Sequence, residues 1–193
     1  GVQKLINTRT YVDGAKIGLQ GQSWGGYQIA YLITQTNMFA AAMAGAPVSN
    51  MTSAYGGIRW GTGMSRMFQY EETQSRIGGT LWDKPMHYIE NSPVFMAPNV
   101  QTPLLMMHND NDGAVPWYQG IEFFMALYRL QKPVWLINYN GMDHNIENKY
   151  WANRVDLSTR MFGFFNHYLK GAPAPEWMIK GIPAIEKGKT LGY

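Results

Sequence analysis

The sequence predicts an α/β protein built on a parallel sheet with crossover helices. Three observations lead there. Short apolar runs near residues 16–22, 40–46, 103–108 and 134–139 read as buried strands. Stretches at 25–36, 117–130 and 147–169 carry apolar residues at helical spacing. The segments follow one another as strand, helix, strand, insertion, strand, helix, strand, helix, an order that parallel strands with helical returns accommodate.

Residues 1–9 place Val2, Leu5 and Ile6 on one helical face, with no N-cap or turn before them, so the chain is expected to begin inside an element. The turn Val12-Asp13-Gly14 precedes the strand at 16–22, whose buried signal is Ile17 and Leu19. In the helix at 25–36, Ile29, Ala30, Leu32 and Ile33 recur at helical spacing. The strand at 40–46 leads to a long irregular or helical insertion over 48–95. Pro103 to Met107 read as a buried strand, and the helix at 117–130 groups Trp117, Ile121, Phe124, Met125 and Tyr128 on one face. After the apolar run Val134 to Tyr139, the last helix uses Met161, Phe162, Phe165, Tyr168 and Leu169 until Gly171 and two prolines stop it. No internal repeat, low-complexity tract or signal-peptide pattern is read in the chain.

Composition narrows the function classes. With 193 residues, 46% apolar and 14% aromatic, the chain can bury one good core and is read as one domain, residues 1–193. Charged residues are 15%, below the usual quarter, as expected when part of the surface packs on another segment. The net charge is +3, yet the sixteen Lys and Arg are scattered without a basic run or an aromatic-interleaved stripe, which argues against a nucleic-acid partner. No apolar run reaches the length of a membrane span. The absence of cysteine excludes disulfide and thiol chemistry and is compatible with cytoplasm or periplasm.

Chemistry enters at Gly21-Gln22-Ser23-Trp24-Gly25. An apolar run stops there and a helical pattern begins, which is the strand–turn–helix setting of a nucleophile elbow. Small residues two before and two after the serine would let strand and helix approach closely, and Gly21 and Gly25 fill those places. A hydroxyl is a poor nucleophile at neutral pH, so a base and a group that orients the base are required.

Four histidines are available. His167 lies in an amphipathic helical stretch, where surface or packing roles dominate. His87 sits in a connector and has no acidic neighbour at useful spacing. His144, in Asn140-Gly141-Met142-Asp143-His144-Asn145, follows a strand's C-terminal end, where α/β sheets place catalytic groups. It is the candidate base.

An α/β-hydrolase carries its acid between serine and histidine. The segment His108-Asn109-Asp110-Asn111-Asp112-Gly113-Ala114-Val115-Pro116 ends a strand in that interval. A calcium loop would put Asp110, Asp112 and Gly113 in register, but its first position would be His108 and its bidentate glutamate would be Gln119. An acidic turn remains the other reading of the segment at this point.

Together the elbow through Tyr27, the segment His108 to Pro116 and Asp143-His144 resemble the catalytic motifs of the prolyl oligopeptidase family of serine peptidases, over residues 1 to about 170. The resemblance implies the second half of an α/β-hydrolase fold, and a catalytic triad. The family's aspartate lies four residues after the histidine and three before a valine or threonine, which maps onto Asp112. Ser23 would then be the nucleophile, His144 the base, and Asp112 the group that orients it. The backbone N–H of Trp24 would be an oxyanion donor, since the residue after the nucleophile supplies it in this fold. Trp24, Val48, Met51, Tyr55 and Val115 occupy positions resembling the family's substrate-binding pocket; core packing is an equal reading for Met51 and Tyr55. Relatives often bind a substrate carbonyl with an arginine or asparagine two residues after the aspartate, where this sequence has Ala114. No metal or other cofactor is implied.

The family would place further strands, and usually a β-propeller, upstream of residue 1, with a second oxyanion donor among them. The expected partners are therefore a peptide substrate and either the upstream part of the same peptidase or a second copy. A serine peptidase acting on oligopeptides is the leading reading. An esterase of the same fold needs the same triad, and an incomplete fragment could serve as an interaction module through its exposed sheet edge.

Overall fold

The computed structural model describes residues 1–186 and 188–192. Helix α1 (Val2–Thr8) precedes β1 (Gly18–Gln22), and α2 (Trp24–Gln35) leads on to β2 (Ala41–Gly45). The insertion then folds as α3 (Met51–Tyr55), a hairpin of β3 (Ile58–Arg59) and β4 (Met64–Ser65), α4 (Met67–Glu71), α5 (Pro85–Glu90) and a 3-10 turn at Pro93–Asn99. The order closes with β5 (Leu104–Met107), α6 (Tyr118–Arg129), β6 (Val134–Ile137), α7 (Trp151–Lys170), α8 (Glu176–Lys180) and a 3-10 turn at Ala184–Glu186. Among the described residues no helix is long and apolar enough to cross a membrane.

The main sheet is parallel, in the order β1-β2-β5-β6, with Gly21 opposite Ala44, Ala44 opposite Met106 and Met106 opposite Leu136. Alternation along each strand splits its side chains between two layers. Ala42, Ala44, Leu104 and Met106 join Ile29 and Ile33 of α2 and Phe123 and Leu127 of α6. Ala41, Met43, Leu105 and Met107 face the other way, onto Phe164 of α7 and Trp177 and Met178 of α8. A third cluster, from the insertion, gathers Val48, Met51, Tyr55, Tyr70 and Tyr88 around Val115. Strand β1 pairs only with β2 among the described residues, so its outer edge has no strand beside it.

Four details differ from the sequence reading. Helix α6 turns Gln119, Gly120, Phe123 and Leu127 inward, while Met125 and Tyr128 are more than half exposed. Buried Gln119 defeats an apolar count because its amide is satisfied: Oε1 accepts from Ser49 N (3.0 Å) and Asn50 N (2.8 Å), and Nε2 donates to Ser53 Oγ (2.8 Å). On α7, Phe162 is exposed, and buried Arg160 takes an inward place with its Nε 2.8 Å from Asp156 Oδ2. The hairpin β3-β4 has two-residue strands, too short for alternation to register. Helix α8, beyond the prolines, is part of the core, with Trp135 Nε1 donating to Met178 O at 2.9 Å.

Candidate active site

Ser23 stands alone between β1 and α2, at φ 60° and ψ −119°. A residue with a side chain holds such a backbone only where its surroundings dictate it. Here its N–H donates to Gly45 O (2.7 Å) and its own carbonyl accepts from Tyr27 N–H (3.0 Å). A Cβ on Gly21 would lie 2.5 Å from Gly25 O, and one on Gly26 would lie 2.3 Å from Gly45 O. At Gly25 an added Cβ meets nothing within 4 Å. The crowding expected at Gly21 and Gly25 thus falls on Gly21 and Gly26, where α2 crosses the end of β2. Gly26→Ala is expected to lose ~1–3 kcal/mol or more by overpacking against backbone, whereas Gly25→Ala stays within about 0.5 kcal/mol of wild type. Equal losses in urea unfolding would contradict this packing.

Asp112 ends the turn after β5, and its side chain is fully buried. Its Oδ1 accepts from the N–H groups of Ala114 and Val115, each at 2.8 Å. Its Oδ2 lies 2.8 Å from His144 Nδ1 and 3.3 Å from His108 Nε2. A carboxylate facing His144 Nδ1 fixes the tautomer with the proton on that nitrogen and leaves Nε2 as a lone pair. Asp110 does something else, its Oδ1 accepting from Gly141 N–H at 2.7 Å.

Burial acts to raise the Asp112 carboxyl, but hydrogen bonds from His108, His144 and Val115 N–H, with the attraction of His144, outweigh it and hold the group well below its usual 3.8. A carboxyl depressed by folding contributes stability that is present above the unfolded value and is lost as pH falls through the lower folded one. The stability advantage of wild type over Asp112→Asn is therefore expected to shrink as pH drops below about 4. Urea titrations of both proteins between neutral pH and acid check this, and an advantage that grows in acid would overturn it.

The histidine loop is braced on both sides. Gln22 Nε2, one residue before Ser23, donates to His144 O at 2.9 Å. Asp143 Oδ1 accepts from Gly113 N–H (2.8 Å) and His144 N–H (2.6 Å), and Asn109 Nδ2 donates to Asp143 O (2.8 Å). The insertion clamps the acid loop from outside. Gly61 N–H donates to Gly113 O at 3.0 Å, and the buried Arg66 guanidinium hydrogen-bonds Ala114 O.

Val48, Met51, Tyr55 and Val115 do meet, in the third core cluster, with Trp24 packed against it. All four are buried, and Tyr55 donates its hydroxyl to Glu71 Oε1 at 2.5 Å. His87 does face an acid, 3.6 Å from Glu90 one turn on, but both side chains are more than half exposed. His167 donates from Nδ1 to Ala172 O at 2.7 Å beyond the end of α7. Sequence reasoning passed over Gln22, His108 and Arg66. The first two sit inside the quoted motifs, but in a loop no spacing rule says which side chain turns inward. Among the described residues no group of three His, Cys, Asp or Glu side chains is placed to hold a metal ion.

Fold and residue order together define an α/β-hydrolase. An acylaminoacyl peptidase in complex with Z-Gly-Gly-Phe-chloromethyl ketone has a TM-score of 0.78 to this chain at 24% identity, covering 93% of this chain and 28% of that one. The Pyrococcus horikoshii acylaminoacyl peptidase gives 0.74 at 22% identity, covering 95% and 29%. In sequence, the chain is 30% identical over 145 residues to the uncharacterized peptidase YuxL of Bacillus subtilis, covering 75% of this chain and 21% of that protein. It is 31% identical over 137 residues to the acylamino-acid-releasing enzyme of Sus scrofa, covering 69% and 18%. The profile of the prolyl oligopeptidase family matches residues 1–172, and the chain belongs to that family. It spans about a fifth of the length of the curated relatives it matches.

Proposed function

We propose that this chain carries the catalytic residues of a serine peptidase that hydrolyses peptide bonds of oligopeptides through an acyl-enzyme. The observation that carries the reading is the buried Asp112 carboxylate 2.8 Å from His144 Nδ1, on a loop tied by Gln22 Nε2 to the elbow that holds Ser23. Ser23 Oγ attacks the scissile carbonyl while His144 Nε2 takes its proton, and the imidazolium so formed is held by Asp112. The same proton then goes to the leaving amine, and water repeats the sequence to release the acid. Trp24 is the first residue of α2, where backbone N–H groups have no partner within the helix, so its N–H is available to the tetrahedral oxyanion. Trp24 faces the side chain before the scissile bond, and the buried Val48, Met51, Tyr55 and Val115 of the third cluster pack behind it as the apolar support of that pocket.

The free edge of β1 and the coverage of relatives support residues 1–193 as the C-terminal part of a larger catalytic domain. Upstream chain, or a second copy, would then cover that edge and supply a second oxyanion donor. Steady-state turnover of a peptide amide and its matching ester is the test, run on this chain and on a form extended upstream. The extended form is expected to cleave the amide, and the chain alone to be slower by roughly 10²–10³ for want of one donor. Ester turnover without amide turnover would make it an esterase. Equal rates in both forms, with the short one a monomer by light scattering, would remove the larger domain from the reading.

A further inference from the structure

The Asp112 carboxylate has a second imidazole on it. His108 is the residue after β5, fully buried, and its backbone is locked to the neighbouring strand: its N–H donates to Ile137 O at 3.0 Å, and its carbonyl accepts from Asn138 Nδ2 at 3.0 Å. The ring is thus fixed to the sheet. Its Nε2 lies 3.1 Å from Val115 O and 3.3 Å from Asp112 Oδ2. Both neighbours are acceptors, so Nε2 carries the proton and is shared between them. Nδ1 is buried and has no hydrogen-bond partner among the described residues. A Cβ on Gly120 would stand 2.5 Å from it, so a glycine of α6 makes the room in which the ring lies.

We infer that His108 is a positioning residue for the reaction, a neutral Nε2–H imidazole that holds the Asp112 carboxylate in the plane that meets His144. The inference rests on the roles given to Asp112 and His144 under the proposed function. Without His108, the backbone donors of Ala114 and Val115 still hold Oδ1, but Oδ2 keeps only His144 and is free to swing with it. The ionisable group that the His108 ring meets at hydrogen-bond distance is Asp112. Two donors on one oxygen also share its charge. With one removed, the carboxylate is left with a single donor on that oxygen and no longer has a fixed plane in which to meet His144.

The test compares His108→Phe, His108→Gln and Asp112→Asn in the intact protein. Phenylalanine keeps a flat ring without a donor, while a glutamine amide nitrogen reaches about as far as the imidazole Nε2. His108→Phe is expected to lower kcat by roughly 10–100-fold, the worth of one hydrogen bond to a charged group. KM should change little. His108→Gln should recover most of the rate. If His108→Phe has wild-type kcat while Asp112→Asn is crippled, this inference fails and the triad stands. If Asp112→Asn is as active as wild type, the triad reading fails first. Should the phenylalanine variant not fold, nitrogen NMR of histidine in the unsubstituted protein decides. An Nε2–H tautomer at His108, whose proton signal shifts in Asp112→Asn, supports the inference. An Nδ1–H tautomer or an imidazolium overturns it.

Discussion

Ser23→Ala is expected to abolish both fluorophosphonate labelling and peptide hydrolysis, lowering kcat by roughly 10⁴–10⁶-fold, the loss seen when a triad nucleophile is removed. The residual rate would come from binding and the oxyanion donors alone. Intact-mass detection of the labelled adduct, with amide turnover, checks it. The neighbouring hydroxyls make poor substitutes. Ser49 is fully buried and donates to Gln119 O at 2.5 Å, and Ser53 Oγ lies 2.9 Å from Glu122 Oε1. A label that persists in the variant and maps to either of them would sink the assignment of Ser23.

Asp112→Asn is expected to lower kcat by about 10⁴, because an amide facing Nδ1 favours the wrong tautomer and does not balance the imidazolium. Asp110→Asn keeps a side-chain oxygen that can still accept from Gly141 N–H, and a loss within about tenfold is expected. Two residues in the same turn thus separate by three orders of magnitude or so. A larger loss at Asp110 would refute the choice between them.

The elements that were legible in the sequence share a property. Strands β2 and β5 are buried on both faces and so are continuous apolar runs, which a reader detects without knowing the neighbours. The elbow was legible because sharp backbone geometry demands particular residues, and Gly21 is one that only glycine can be. What was missed depends on partners far along the chain. Gln119 is inside because the main chain of residues 49 and 50 needs its carbonyl, yet a periodicity count scores any glutamine as outside. Helix α8 earns its place through Trp177, whose ring sits 5.4 Å from the Arg160 guanidinium, a contact that composition past two prolines does not announce. In the site, the preference for Asp112 over Asp110 needed the family's spacing; the structure adds that four donors meet Asp112, with His108 among them.

The strand order has a mechanical side. The proposed nucleophile follows β1 and the proposed base follows β6, and these are the outermost strands of the sheet. At about 4.8 Å per step they stand roughly 14 Å apart, and a twist of ~20–25° per step turns one against the other by ~60–75°. Serine and imidazole are therefore the tips of a calliper whose opening is set by the strands between its jaws. The strap from Gln22 to the His144 carbonyl ties the tips, but the gauge block is β2 with β5, and on its α2 face β2 is ground thin: Ala42, Ala44 and Gly45 leave α2 in contact with backbone. Backbone hydrogen bonds between these strands fix that opening, so residues that never face the substrate set the reach between the groups that do.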